Sequence, residues 1–371
     1  MDKKKVLFVQ IEQFHSEVLG PQFELLEEAY SLYSFASSEI NSSDFVSTYR
    51  VKTKDALFFN CSPGWMFWSR WKLSSAFIYV LNILMIRLLI WREKIDLVVF
   101  NTIPTPPKVR LVGRLLKKVS KVVIVHNGEN FLNHQMDYCS FEKVFFLSKE
   151  VKEHCLSFTE KCYQQKLDYF VPIFFDKFLR ERPITRGREE KIILGIVGKT
   201  DETKRNYRGL IEALEKVNPE DARFKILISG EVTAGFFEEI NKHQLENLVT
   251  YEKGFKSFDR MFGDVLQSDI LLFLIDQEVD FCDNYNRVKI SGTSNLAKAF
   301  RKPVAYSEDF KIGRFLSRYS IKYDQIGQFL SDIQTGRYTK QHIQDLVDQT
   351  GYQEYAKEEK TRYVKLINEL V

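Results

Sequence analysis

Short apolar runs alternate along this chain with longer segments of helical periodicity. VLFV at residue 6, ALFF at 56, DLVVF at 96, KVVIV at 121 and KVFFL at 143 are bounded by turn or charged residues. Being apolar on both alternating faces, such runs predict strands of a parallel sheet covered by helices on either side. The pattern pauses at KFLRERPITRGREEK, residues 177–191, a charged stretch with a Pro, a Gly and no apolar period. It restarts with IILGIVG at 192, FKILISG at 224, VTYEKG at 249, DILLFLID at 269 and PVAYS at 303, separated by amphipathic segments such as YRGLIEALEKV. The prediction is two α/β domains, residues 1–180 and 192–340, joined by a linker at 181–191. A C-terminal helical segment, 341–371, carries Tyr352, Tyr355, Tyr363, Leu366 and Leu370 as a stripe that can pack on either domain, the N-terminal one included.

Two segments need separate reading. The opening MDKKKVLFVQIEQ begins with lysines like a secretion signal, but Gln10 and Glu12 break its apolar run, so it reads as a first strand. Residues 61–94 hold all four tryptophans, Trp65, Trp68, Trp71 and Trp91. Asn82 and Arg87 interrupt that stretch well short of the ~20 apolar residues a membrane crossing needs. It reads as a buried crossover helix or, with its Trp-rich and Arg/Lys-flanked character, as an interfacial helix touching a membrane surface over residues 65–94.

Composition narrows the class. With 28% charged and 44% hydrophobic residues in 371, the chain is an ordinary globular protein, long enough for two cores. A net charge of +4 from 54 basic and 50 acidic residues argues against a nucleic-acid partner. The five cysteines, Cys61, Cys139, Cys155, Cys162 and Cys282, are scattered without CxxC or metal-ligand spacing. A reducing cytoplasm fits them, with a peripheral position at the inner face of the membrane if the Trp-rich segment touches lipid.

Candidate chemistry lies in two loops of the second half. Gly195-Ile-Val-Gly198-Lys199 ends a strand, and Lys204-Arg205-Asn206 precedes a helix. Free backbone amides at a glycine turn, a helix N-terminus and lysine charges together suit an anion such as a diphosphate. Downstream, Ser291-Gly292-Thr293-Ser294-Asn295 opens a small-residue helix after Asn286-Arg287, which gives a second set of amides and hydroxyls. Both follow strands at the carboxyl edge of one sheet, where open α/β sheets bind ligands.

Those residues carry a resemblance. Gly198-Lys199 with Lys204, ILISGE at 226–231, VTYEKGF at 249–255, SDILLFL at 268–274 and Lys302-Pro303-Val304 resemble the nucleotide-binding half of GT-B glycosyltransferases related to family four. VVIVHN at 122–127, FFLSKEVKEH at 145–154 and YFVPIFF at 169–175 are similar to the other half, so the likeness spans most of the chain. It implies two Rossmann-like domains facing each other across a cleft. It implies that Lys199 and Lys204 contact a donor diphosphate together with Gly198, Gly292, Thr293 and Ser294. His126 would face the donor sugar, with His126 and Lys204 as the catalytic pair. Gly230, Glu231, Arg287 and Asn295 are the positions for nucleotide or sugar contacts. One departure stands out. The family's two glutamates, eight positions apart before the Lys-Pro-Val segment, fall here on Val288 and Leu296, or on Arg287 and Asn295 after a one-residue slip. The acidic loop with Asp276, Glu278, Asp280 and Asp283 lies just upstream.

The expected activity is metal-independent, retaining transfer of a sugar from a nucleoside-diphosphate sugar, with no cofactor, to a glycan, lipid-linked saccharide or protein acceptor in bacterial surface polysaccharide or glycoconjugate synthesis. His15 and Glu17, in the loop after the first strand, are the acceptor-side candidates. The alternatives are a non-catalytic GT-B partner that binds a glycan, motivated by the missing glutamates, and a nucleotide-sugar epimerase.

Overall fold

A computed structural model describes residues 3–11, 15–57, 68–103, 105–181, 190–252, 257–348 and 350–371. Phe14, Trp65, the end of ALFF, most of the expected linker and the end of VTYEKGF lie outside these residues, as do the side chains of residues 68–76. The chain divides into two compact units, Met1–Phe178 with Lys357–Val371, and Leu179–Ala356.

Unit 1 is built on β1 (Lys5–Gln10), β2 (Ser31–Ala36), β3 (Val51–Asp55), β4 (Leu97–Phe100), β5 (Ser120–Val125), β6 (Lys143–Phe146) and β7 (Leu167–Tyr169). Their order across the sheet is β3-β2-β1-β4-β5-β6-β7, with every pair parallel. Leu7, Val9, Val98, Phe100, Val123 and Val125 form one buried face, packed against Ile83, Ile86, Val109 and Val112 of flanking helices. The strand expected at ALFF is corrected: β3 is the preceding VKTKD, with Ala56 giving a last bond to Ala36 O at 2.7 Å and Leu57 beyond the strand. As an edge strand with one side in water, β3 can be polar, and its lysines discourage pairing with another chain. Asn82 is fully buried in the helix Trp68–Glu93, where its side chain accepts from Leu57 N at 2.8 Å and donates to Leu57 O at 3.0 Å. The residue that interrupts the apolar run therefore pins the chain leaving β3. Among the described residues, no helix is long and apolar enough to cross a membrane.

Unit 2 repeats the plan with β8 (Ile192–Val197), β9 (Phe224–Ser229), β10 (Val249–Tyr251), β11 (Ile270–Leu272), β12 (Val304–Ser307) and β13 (Ile321–Tyr323). The order β10-β9-β8-β11-β12-β13, again all parallel, is the unit 1 order without its seventh strand. In each sheet the winding reverses beside the first strand, at β1/β4 and at β8/β11. The loops leaving the carboxyl ends there diverge and leave room for a ligand.

The helix Asp176–Glu181 occupies the start of the stretch read as a featureless linker. The final helix, Tyr352–Asn368, gives its last turns to unit 1. There Tyr363 is fully buried, its ring 4.3 Å from that of Phe170 and 5.8 Å from that of Phe145.

Candidate active site

In unit 1 the polar residues gather at the β1/β4 reversal. Asn101 follows β4 directly, is fully buried, and donates its amide N–H to Val9 O at 3.0 Å. Its side chain donates to Gln10 Oε1 and to His15 O (2.8 Å), and accepts from Gln22 Nε2 at 3.3 Å. Asn101 thus fixes the loop after β1. His15 adopts a left-handed backbone, φ 68°, and its ring stacks on His126 with centroids 3.9 Å apart. His126 follows β5, and Asn127 behind it caps the helix Gly128–Asn133 by accepting from Glu129 N.

The protonation of His126 follows from its contacts. Nε2 lies 2.9 Å from Asn101 O, and a carbonyl can only accept, so Nε2 carries the proton and Nδ1 presents its lone pair. Burial, and then the neighbouring His15, push its pKa down to about 3, so the ring is neutral at physiological pH. Glu17 lies 3.5 Å from His15 Nδ1. Burial opposes its ionisation, but the hydrogen bond and charge of His15 prevail and hold its carboxyl below the usual range. A pocket of about 230 Å³ opens beside His126, with Thr102, Asn127, Asn130 and Tyr138 on its wall. Burial pushes the Tyr138 phenol up to about 12, so it too stays neutral. Neutral imidazole, phenol, amide and hydroxyl groups suit an uncharged, polyhydroxylated ligand.

In unit 2, β8 is followed by Gly198, whose φ of 110° is a conformation L side chains rarely adopt. Its neighbour across the turn is Gly230: a Cβ there would lie 2.3 Å from Gly198 O, so the two loops touch through backbone alone. Thr200 and Thr233 clamp the contact, with their hydroxyls 3.1 Å apart and Thr233 N donating to Thr200 Oγ1. The guanidinium beside Gly198 belongs to Arg205. It donates to Val197 O and, at 3.4 Å, to Thr293 Oγ1, joining the loop after β8 to the first turn of the helix Gly292–Ala299. Gly292 is exposed there, whereas Thr293, Ser294 and Asn295 are buried. Asn295 Oδ1 has no hydrogen-bond partner among the described residues, and neither does the buried Ser229 Oγ at the end of β9.

Lys199 and Lys204 occupy other surroundings. Lys199 Nζ is half exposed and pairs with Glu231 at 3.0 Å, and Lys204 Nζ pairs with Asp201 at 2.9 Å. Arg287 is exposed at the end of the helix Cys282–Arg287. The acidic loop is partly drawn in: Asn206 Nδ2 donates to Asp276 Oδ2 at 2.8 Å and to Glu278 Oε2 at 3.0 Å. Burial raises the Asp276 pKa, and the Glu278 and Asp309 carboxylates add to the rise. Sequence reasoning assigned no role to Arg205, Asn101 or Gln22. The usable signal for Arg205 was its place just before Asn206, the N-cap of the helix Tyr207–Leu214; for Asn101 it was a polar residue ending an apolar strand.

Solved structures with a similar fold include HepE of Anabaena in complex with UDP and glucose, at 11% identity and TM-score 0.64, matching 99% of this chain and 100% of that one. The fold is GT-B. A glycosyltransferase from Rickettsia africae shares it at 13% identity and TM-score 0.60, over 97% and 99% of the two chains. So does a putative UDP-N-acetylglucosamine 2-epimerase from Listeria monocytogenes, at 13% identity and TM-score 0.62, over 94% and 91%. No family model matches the sequence, and no curated protein does. At these identities the GT-B likeness establishes the fold, and chemistry must be argued from the residues.

Proposed function

We propose that this chain is a glycosyltransferase that takes its sugar from a nucleoside-diphosphate donor. The observation that carries the reading is the meeting of Gly198, Arg205 and Thr293 at the carboxyl edge of the unit 2 sheet. The Gly198 amide is already given to Ser229 O at 2.8 Å, so the guanidinium and the helix N-terminus, brought together beside the close-packed glycines, form the cradle for a diphosphate. The UDP in the Anabaena HepE structure favours a uridine nucleotide here.

In this reading the bond between the sugar's anomeric carbon and the diphosphate oxygen breaks, and its electron pair leaves with the phosphate. Arg205 and the amides of Gly292 and Thr293 stabilise that charge, and Lys199 and Lys204 would join them only by leaving Glu231 and Asp201. The acceptor hydroxyl bonds to the anomeric carbon, and in a retaining transfer the leaving phosphate oxygen takes its proton. His126, neutral and with Nδ1 available, accepts a hydrogen bond from a sugar hydroxyl. The pocket beside it, lined by His15 with Glu17 behind that ring, holds a saccharide. Asn295 and Ser229 offer unused acceptors to the nucleotide or sugar, with Gly230, Glu231 and Arg287 nearby in sequence. Acceptors consistent with this chemistry are glycans, lipid-linked saccharides and glycosylated proteins of a bacterial cell surface.

Thermal-shift titration with UDP, GDP, ADP, CMP and dTDP tests the donor. One diphosphate should stabilise the protein, and Arg205→Ala should weaken that response more than Lys204→Ala, with Thr293→Val as an independent change to the same cradle. Loss of Arg205 should also lower kcat by about two to three orders of magnitude. Indifference to every nucleotide would end the proposal. A second reading, a non-catalytic nucleotide-binding GT-B protein, is favoured by the buried apolar Val288 and Leu296 at the family's glutamate positions. Binding without sugar transfer or donor hydrolysis would support it.

A further inference from the structure

The helix Trp68–Glu93 is apolar on two opposite sides. Tyr79, Ile83, Ile86 and Leu89 are buried in the unit 1 core. On the other side Phe77, Leu84, Leu88 and Trp91 are 63%, 45%, 58% and 77% exposed, with Met85 beside them at 37%. Steps of seven, four and three residues return to one side of an α-helix, so these form a continuous stripe about 21 Å long, at 1.5 Å per residue. Helical spacing places Arg87 along one border of the stripe and Arg92, paired with Glu93, along the other.

Charge is segregated to the same region. Residues 56–128 contain eleven Lys or Arg, of which Lys121 is buried and Arg110 pairs with Asp137, and two Asp or Glu, whereas the whole chain is only +4. Outside that span the balance is therefore acidic. Five of the basic residues, Lys108, Arg110, Arg114, Lys117 and Lys118, lie on or just after the helix Pro106–Leu115. That helix is tied to the striped one by Lys108 Nζ, 4.7 Å from the Tyr79 ring centre.

We propose that this face rests on an anionic phospholipid bilayer, the striped helix lying in the membrane plane. Phe77, Leu84, Leu88 and Trp91 sink to the boundary of headgroups and acyl chains, and the flanking arginines and lysines meet lipid phosphates. The charge pattern selects this occupant over a second copy of the chain. A symmetric pairing through the stripe would bring two strongly basic surfaces together with too few carboxylates to neutralise them, whereas a bilayer of anionic lipids supplies the complementary charge. The inference stands on the stripe and the charge pattern, independently of the sugar-transfer reading.

Co-sedimentation of the full chain with phosphatidylcholine vesicles, with and without phosphatidylglycerol, tests it. Binding is expected only with phosphatidylglycerol and should weaken as salt is raised. Leu88→Glu should reduce vesicle affinity by about tenfold or more, with Leu84→Glu as a second exposed variant. Lys117→Gln and Lys118→Gln should each cost roughly fivefold. Urea unfolding should remain near wild type, because these side chains are in water. The proposal is overturned if anionic vesicles do not bind, or bind Leu88→Glu equally well. It is also overturned if sedimentation velocity finds a dimer that Leu88→Glu dissociates, which would assign the stripe to a second copy.

Discussion

His126 stacks on His15 and commits Nε2 to the Asn101 carbonyl, so a second proton would place charge in a site that burial has already taken from water. With its pKa down at about 3, the folded protein refuses a proton that the unfolded chain accepts near 6.5. The sign follows from linkage: the unfolded state binds more protons in that window, so the stabilisation is complete above 6.5 and is lost as pH falls toward 3. Glu17 also has a depressed pKa, but its contribution is lost only below the ordinary carboxylate range. A comparison of about pH 7.5 with about pH 5.5 therefore reads the histidine first. Urea midpoints should fall over this interval in the wild type and fall less in His126→Gln; equal slopes would show that the ring is not held neutral. Much of this site could be anticipated, because glycines, small hydroxyl residues and a histidine at strand ends stand out in a sequence. Arg205 had only its place before an N-cap to mark it, since Lys199, Lys204 and Arg205 look alike as charges and only the folded loop turns one of them toward Thr293 while the others meet Glu231 and Asp201.

At the scale of elements, central strands were legible because burial on both faces makes them continuously apolar, as in β1, β4, β5 and β8. Hidden strands lacked that signature. β2 is SLYSFA, whose serines break the run although the strand is buried, and β3 is a polar edge. The C-terminal stripe was visible, but periodicity does not say what a helix packs on, and the long-range contact does. Tyr363 Oη donates to Gln22 Oε1 at 2.9 Å, and Gln22 passes the link to Asn101, which holds His15 O. Tyr363→Phe keeps the ring but leaves the buried Gln22 oxygen without its donor, which should cost about 1–3 kcal/mol. Tyr363→Ala also empties the space against Phe145 and Phe170 and should cost about 3–5 kcal/mol. Urea unfolding separates the two losses, and a phenylalanine variant within a few tenths of a kcal/mol of wild type would deny the hydroxyl its role.

Across the whole molecule, two sheets wound in the same order present different chemistry at equivalent places. The reversal in unit 1 gathers neutral hydrogen-bonding groups, His126, Asn127, Asn130 and Tyr138, whereas that in unit 2 gathers Arg205, glycine loops and a helix N-terminus. Neutral groups discriminate among hydroxyls, and a guanidinium with a helix N-terminus discriminates for anions, so unit 1 should take an uncharged saccharide and unit 2 a diphosphate. Hydrogen exchange on the full chain makes this division measurable. The nucleoside diphosphate proposed above should slow exchange in residues 198–206, 230–233 and 291–296 and leave residues 101–103 and 126–131 unchanged. A free saccharide should do the reverse, protecting the second set and leaving the first unchanged, because it brings hydroxyls for the neutral groups around His126 and no anion for Arg205. Protection of the His126 segment by the diphosphate alone would mean that this pocket binds the nucleotide, and the assignment of chemistry to the two units would have to be exchanged.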